Sequence, residues 1–455
     1  MNRIRCRAPR LIALMTAVFP ISGACTDGHA VAEPPDAQAP NDDATDEGDA
    51  DATAGSDDDT KNGDDEDDTS DPGDPTTDDA VDLLLVLDNS GSMGTKAARL
   101  ALEMPTLLTE LAESGMSVRL GITTTDVLHP LCQNTAPENG TLRLSSCLVR
   151  GDDFVFDPTG EALDVFHVGC ADFCTSADVS TTPTTTESDQ VAKARDWIEI
   201  HSDGSTNLAG VDTFEDLVEP VRCVVPQGIN GCGFESPLEA VHLAVQRAAD
   251  PSHTMFEFRR SFARFVALIV TDEYDCSHDP AARDIFTDET SPFWHPEAGL
   301  QARSSICWRA QAQCEGTGNP YDRCEPVNHD IDAHPGVADG EAVLWPLSRY
   351  RPDFDAERSM LFGIVGVPQG YANSEVELAY FAGDETEEVY WGIAPACTVP
   401  DGGVGGGEQA VPPLRMRALA EELSEQRTLY SICAEDYRST MTNIAAQILR
   451  RFAAH

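Results

Sequence analysis

The chain is polar through most of its first eighty residues and turns abruptly apolar at Val81. Val81-Asp82-Leu83-Leu84-Leu85-Val86-Leu87 is a nearly continuous apolar run. A half-solvated strand would alternate, so this run predicts a strand buried on both faces, as in a parallel sheet. Asp88 to Gly94 is a turn of small residues. Leu100, Met104, Leu107, Leu108 and Leu111 then recur at helical spacing, with Gly115 placed for a C-terminal cap and Pro105 expected to kink the helix. Ser117 to Ile122 is the next strand, which completes a strand–helix–strand unit.

The pattern resumes later. Ser236-Pro237-Leu238-Glu239 reads as a helix start, with Ser236 as N-cap and Glu239 at the capping-box position. Its apolar side holds Leu238, Val241, Val245 and Ala248, and His242 falls there as a core or boundary residue. Phe265 to Val270 is a second buried strand ending in Thr271-Asp272-Glu273. Further elements are expected at Met360–Val367 (strand), Pro413–Glu425 (helix), Leu429–Cys433 (strand) and Thr440–Phe452 (helix), with a flexible loop at Gly402–Gly407. Residues 128–200 and 276–357 lack clear periodicity and read as large Cys-rich insertions, the first carrying one edge strand. The alternation predicts an α/β fold with a doubly wound, mostly parallel sheet over residues 80–455.

Charge and composition narrow the picture. The formal charge is -49 over 455 residues, of which 41% are hydrophobic. Residues 31–80 hold 20 Asp and Glu against one Lys, and residues 1–30 carry +3, leaving -33 on residues 81–455. So acidic a body repels nucleic acid and anionic lipid. Residues 26–79 have almost no large apolar side chain, so they are expected to be a disordered acidic linker extended by self-repulsion.

The N-terminus points to export. Arg3, Arg5, Arg7 and Arg10 precede a short apolar segment, Leu11 to Ile21, and then Ser22-Gly23-Ala24-Cys25. Residues 1–25 read as a secretory signal too short to span a membrane. Small residues before Cys25 resemble a lipobox, although Ser22 stands where Leu is usual. A plain signal peptide with a chance Cys is the alternative. The acidic spacer favours lipidation at Cys25 and a lipoprotein held on the cell envelope by its anchor alone.

Twelve cysteines follow: Cys132, Cys147, Cys170, Cys174, Cys223, Cys232, Cys276, Cys307, Cys314, Cys324, Cys397 and Cys433. An even set behind a signal sequence implies disulfides. Connectivity is not deducible; proximity suggests Cys132 with Cys147 and Cys223 with Cys232. Cys276 is expected to pin its insertion beside the Asp272 strand.

The sharpest chemistry is Asp88-Asn89-Ser90-Gly91-Ser92, a DxSxS motif beyond the first buried strand, with Asp272 beyond the second. Carboxylates and hydroxyls are hard oxygen donors suited to Mg²⁺, Mn²⁺ or Ca²⁺. The competing reading is that Asp88 and Ser92 only cap a helix. In these residues the chain resembles the von Willebrand factor type A family, over residues 81–127, 230–275 and 359–452. The resemblance implies a metal-ion-dependent adhesion site at Asp88, Ser90, Ser92 and Asp272, with Mg²⁺ as the first expectation. It also implies a Thr ligand from the loop before the Ser236 helix. Glu235 stands at that position, with Ser236 as its neighbour. A third carboxylate predicts tighter cation binding and a reduced need for an acidic group from the partner.

Other signals are weaker. Glu273 and Asp275 read either as supports of the metal site or as the start of a solvated loop. His278, His329 and His334 are read as surface histidines in preference to a second metal site. If the strands are parallel, both insertions and the loop near Cys397 leave from the metal face and crown it. No familiar nucleophile–base motif is present, so an enzyme ranks below a binding module. The resulting expectation is a cell-surface, metal-dependent binding or adhesion module for a protein or extracellular-matrix ligand. The alternatives are an envelope scaffold whose metal only stabilises the fold and, behind it, a secreted enzyme using the insertion pocket.

Overall fold

A computed structural model describes residues 80–157, 162–299, 301–355, 357–399 and 408–452. Cys25, the acidic linker and the Gly402–Gly407 loop lie outside the described residues. Six strands form the central sheet: β1 (Ala80–Leu87), β2 (Ser117–Thr124), β3 (Ile198–Ile200), β4 (Arg264–Val270), β5 (Ser359–Val365) and β6 (Leu429–Ser431). Their spatial order is β6-β5-β4-β1-β2-β3. Every pairing is parallel except that of β3 with β2. Among the described helices, none is long and apolar enough to cross a membrane.

Both faces of the sheet are covered, which explains the unbroken apolar runs. Alternate residues of β1 serve opposite cores. Leu83, Leu85 and Leu87 pack with α1 (Gly94–Glu113), α2 (Phe214–Val224) and α5 (Arg438–Phe452). Leu84 and Val86 pack with α3 (Pro237–Ala249) and α4 (Leu414–Leu423). Period-2 geometry thus demands apolar residues at consecutive positions. The polar exception, Asp82, is fully buried and meets the Arg260 guanidinium at 2.8 Å.

Helix α1 runs without interruption through Pro105. It ends as its sequence predicts: Gly115 has φ 95°, Gly115 N–H donates to Ala112 O at 2.9 Å, and Met116 N–H donates to Leu111 O at 3.2 Å. Helix α2 carries Pro220 and sets Leu217, Val221 and Val224 on its buried side. The start of α3 differs from expectation. Ser236 takes the N-cap position, but its side chain makes no cap bond. Instead Leu238 N–H donates to Asp275 Oδ1 and Glu239 N–H to Ser277 Oγ, both at 3.2 Å. Glu239 is engaged by Arg349 rather than by a capping box. The cap therefore comes from the segment after β4, which locks that segment to the loop before α3.

The disulfides are Cys132–Cys232, Cys147–Cys170, Cys174–Cys223, Cys276–Cys307, Cys314–Cys324 and Cys397–Cys433. The pairs Cys132/Cys147 and Cys223/Cys232 are thereby corrected. Folding brings Cys132 to a cysteine 100 residues away, and sequence proximity carries no information about that approach.

Candidate metal centre

The centre begins with strand register. Leu87 of β1 lies opposite Val270 of adjacent, parallel β4, so the residues that follow leave the sheet side by side. Asp88 N–H donates to Val270 O at 2.9 Å, which fixes the chain as it turns out of β1. Asp88 Oδ1 then accepts from Ser90 N–H at 2.7 Å, and Met93 N–H donates to Ser90 O at 3.1 Å. This curl presents Ser90 and Ser92 on one side, with their hydroxyl oxygens 3.2 Å apart.

Asp272 closes the group. Its Oδ1 accepts from Ser92 Oγ at 2.9 Å. Its Oδ2 accepts from the buried Lys96 ammonium at 2.6 Å, and that ammonium also donates to Ser92 O at 3.1 Å. Asp88 Oδ2 accepts from Thr271 Oγ1 at 2.6 Å. Asp88, Ser90, Ser92 and Asp272 are thus brought together from two neighbouring strand ends. Sequence reading missed Lys96 and Thr271. The first sits one helical turn after Ser92 and the second one residue before Asp272, so nearness to the motif was the available signal.

Glu235 lies on the Asp88 flank. It is completely buried, one carboxylate oxygen accepts from Thr125 Oγ1, and Oε1 has no hydrogen-bond partner. Its hydrogen-bond partner is Thr125. Burial, and then the negative charge of Asp88, hold its carboxyl well above the usual carboxylate range. Asp88 itself is raised to about 7 by burial and by the Asp272 charge. Glu273 is raised well above its ordinary value by burial and by Asp272, and its Oε2 is also unpartnered.

These oxygens fit a hard cation. Of the buried acids Asp88, Asp272 and Glu235, Asp272 is the one that pairs with the Lys96 ammonium; with Glu273 beside them the group carries a formal charge of -3, which a divalent ion offsets. The serine hydroxyls are needed for closure. Among the described residues, the His, Cys, Asp and Glu groups whose ligand atoms all lie within 4.8 Å of one another are elsewhere, and three of those four contain disulfide sulfurs. The fourth is Asp330, Asp332 and His334, where exposed His334 bonds Asp330. His329 is 7% exposed and bonds Ala310 O, which corrects its assignment to the surface. His278 is half-buried and packs edge-on to His129 and Phe286.

Asp275 is no solvated loop residue. It is buried, it caps α3, and its Oδ2 meets Arg415 Nε at 2.8 Å. A cavity of about 300 Å³ opens beside the centre. Ser92, Lys96, Asp272 and Glu273 form part of its wall; Leu163 and Val165, from the segment between β2 and β3, and Trp391 and Pro395, from the segment after β5, form another part. Phe156 would meet any Cβ placed on Gly91, so the first of these segments lies directly against the motif. No family model matches the chain, and no curated protein matches it.

Proposed function

We propose that this chain is a metal-dependent protein-binding module of the von Willebrand factor A type, exported and held on the cell envelope through Cys25. Its ion is Mg²⁺, bound by Asp88, Ser90, Ser92 and Asp272, with Glu235 contributing negative charge from the Asp88 flank. The observation that carries this reading is the 2.9 Å bond from Ser92 to Asp272, which joins the DxSxS turn to the second strand end. The ion would supply a Lewis-acidic point at the cavity floor. The Cys-rich segment between β2 and β3 and the segment after β5 provide the selective surface, and Leu163, Val165 and Trp391 give it apolar character.

A partner acid is less necessary here than in the resembled family. Asp88, Asp272, Glu235 and Glu273 already crowd the site with negative charge, and the body carries -33. The partner is therefore a neutral or basic protein or matrix surface.

Burial of Asp88 and Glu235 favours one second reading, in which the ion mainly stabilises an envelope scaffold. Crosslinking capture from envelope extract, with the full chain in Mg²⁺ or in chelator, separates the two. Capture that needs Mg²⁺ and is lost in Asp88→Ala at an unchanged melting temperature supports binding. Capture indifferent to chelator and to Asp88→Ala overturns it, and a collapse of the melting temperature supports scaffolding.

A further inference from the structure

The cavity beside the centre has one acid that the rest of its wall leaves uncompensated. Three carboxylates line it, from Asp272, Glu273 and Glu408. Asp272 is held by Ser92 and Lys96. Glu408 accepts from Thr95 and pairs with Arg99. Glu273 has the Ser304 hydroxyl on its carboxyl but keeps Oε2 without a hydrogen-bond partner. Lys96, the cation that acts on it, is already engaged by Asp272 and by Ser92 O. A carboxylate oxygen left in this state needs a cause.

The wall around that acid is apolar and tied in place. Val165 packs on Gly94 so closely that an added Cβ would lie 3.0 Å from it. Tyr274 Oη donates to Trp391 O at 2.9 Å, and Val411 N–H donates to Asp272 O at 3.0 Å. The short strand Glu408–Ala410 pairs with Cys397–Val399, which the Cys397–Cys433 disulfide anchors beyond β6. Leu163 and Pro395 complete the apolar part. The volume of about 300 Å³ is at the low end for ligand pockets and suits one side chain.

Charge decides which side chain. Asp88, Asp272, Glu235 and Glu273, set against Lys96 and one divalent ion, keep a single uncompensated negative charge. Glu273 is the acid of that group that faces the cavity and has no place among the proposed ligands of the ion. A monovalent cation is its complement, and the apolar wall favours an aliphatic stem behind the charge. The Trp391 ring attracts the same kind of head. We infer that the cavity receives one Lys or Arg side chain of the protein partner, its stem against Leu163, Val165 and Trp391 and its charged head against Glu273. This rests on the reading of the centre as a partner-binding face, and it names the partner group that enters there.

Ligand-observed NMR on the Mg²⁺-loaded full chain tests it with three probes: the N-acetyl methylamides of lysine, arginine and norleucine. A basic probe should bind, and norleucine, which has a stem without the charge, should bind about tenfold more weakly. Glu273→Gln keeps the shape and should abolish that preference. Trp391→Ala should weaken the basic probe. Equal binding of all three probes to the unmodified chain overturns the inference, and that comparison needs no variant. An unchanged preference in Glu273→Gln overturns it as well. A chain that takes up Mg²⁺ but none of the probes leaves the metal reading standing and ends this one. A basic-probe preference in a chain that takes up no Mg²⁺ supports the cavity's ligand class and removes the ion from the reading above.

Discussion

The Lys96 ammonium lies 2.6 Å from Asp272 Oδ2, with both side chains almost fully buried. Lys96 stands on the first turns of α1 and Asp272 beyond β4, so the contact joins the DxSxS helix to the neighbouring strand end.

Removing Lys96 should therefore cost stability without metal and enlarge the stabilisation that metal brings. Lys96→Met keeps the apolar stem but leaves a buried carboxylate unpaired, a loss of about 3–5 kcal/mol. Urea unfolding in chelator should record that loss. Adding Mg²⁺ should recover more stability in the variant than in the unmodified chain, because the site is then one charge more negative. Equal recovery would mean that the ammonium and the ion do not share Asp272.

His129 makes a prediction about acid. Burial holds its imidazole down to about 2, with His278 adding to the effect, and its ring stacks on Phe234. The unfolded chain protonates this group near its ordinary value of 6.5. The folded state keeps it neutral, so its stabilising contribution is complete above that value and is lost as pH falls below it. Each pH unit should cost up to about 1.4 kcal/mol. His129→Phe should flatten the fall in stability between neutral and mildly acidic pH, measured by denaturant midpoints. An unchanged slope would show that other groups govern it.

Asp275→Ala should be among the most damaging changes outside the centre. It removes an acceptor of the α3 cap and leaves Arg415 unpaired in a buried position. A loss of about 3–5 kcal/mol is expected from the broken ion pair. Because the cap also holds the Glu235 loop, protease susceptibility should rise within residues 225–240. A variant as stable and as resistant as the parent would refute this role.

Gly231→Ala should destabilise through the Asn89 amide. The added Cβ has no space in that direction, so the buried Asn89 side chain or the loop must shift at about 1–3 kcal/mol. Thermal unfolding should record the loss, whereas Gly233→Ala, where nothing lies near the added atom, should be close to neutral.

Much of the frame was legible in the sequence because its signals are local. The Val81–Leu87 and Phe265–Val270 runs, the α1 stripe and Gly115 each report their own backbone surroundings. The DxSxS turn was readable for the same reason. Ser236 misled because its preference for a helix start is real but weaker than the bonds that Asp275 and Ser277 bring from elsewhere. Helix α2 went unread although Leu217, Val221 and Val224 recur at helical spacing and Thr213 caps its start.

By itself the sequence determined which segments are buried on both faces, where the first helix stops and which residues can offer hard oxygens, since these follow from side-chain period, backbone freedom and donor type. Only the tertiary structure decided that Lys96 reaches Asp272, that Cys132 meets Cys232, and that Glu235 accepts from Thr125. Those contacts depend on the register of β1 against β4 and on loops far apart in the chain, and no local preference encodes distances across that separation.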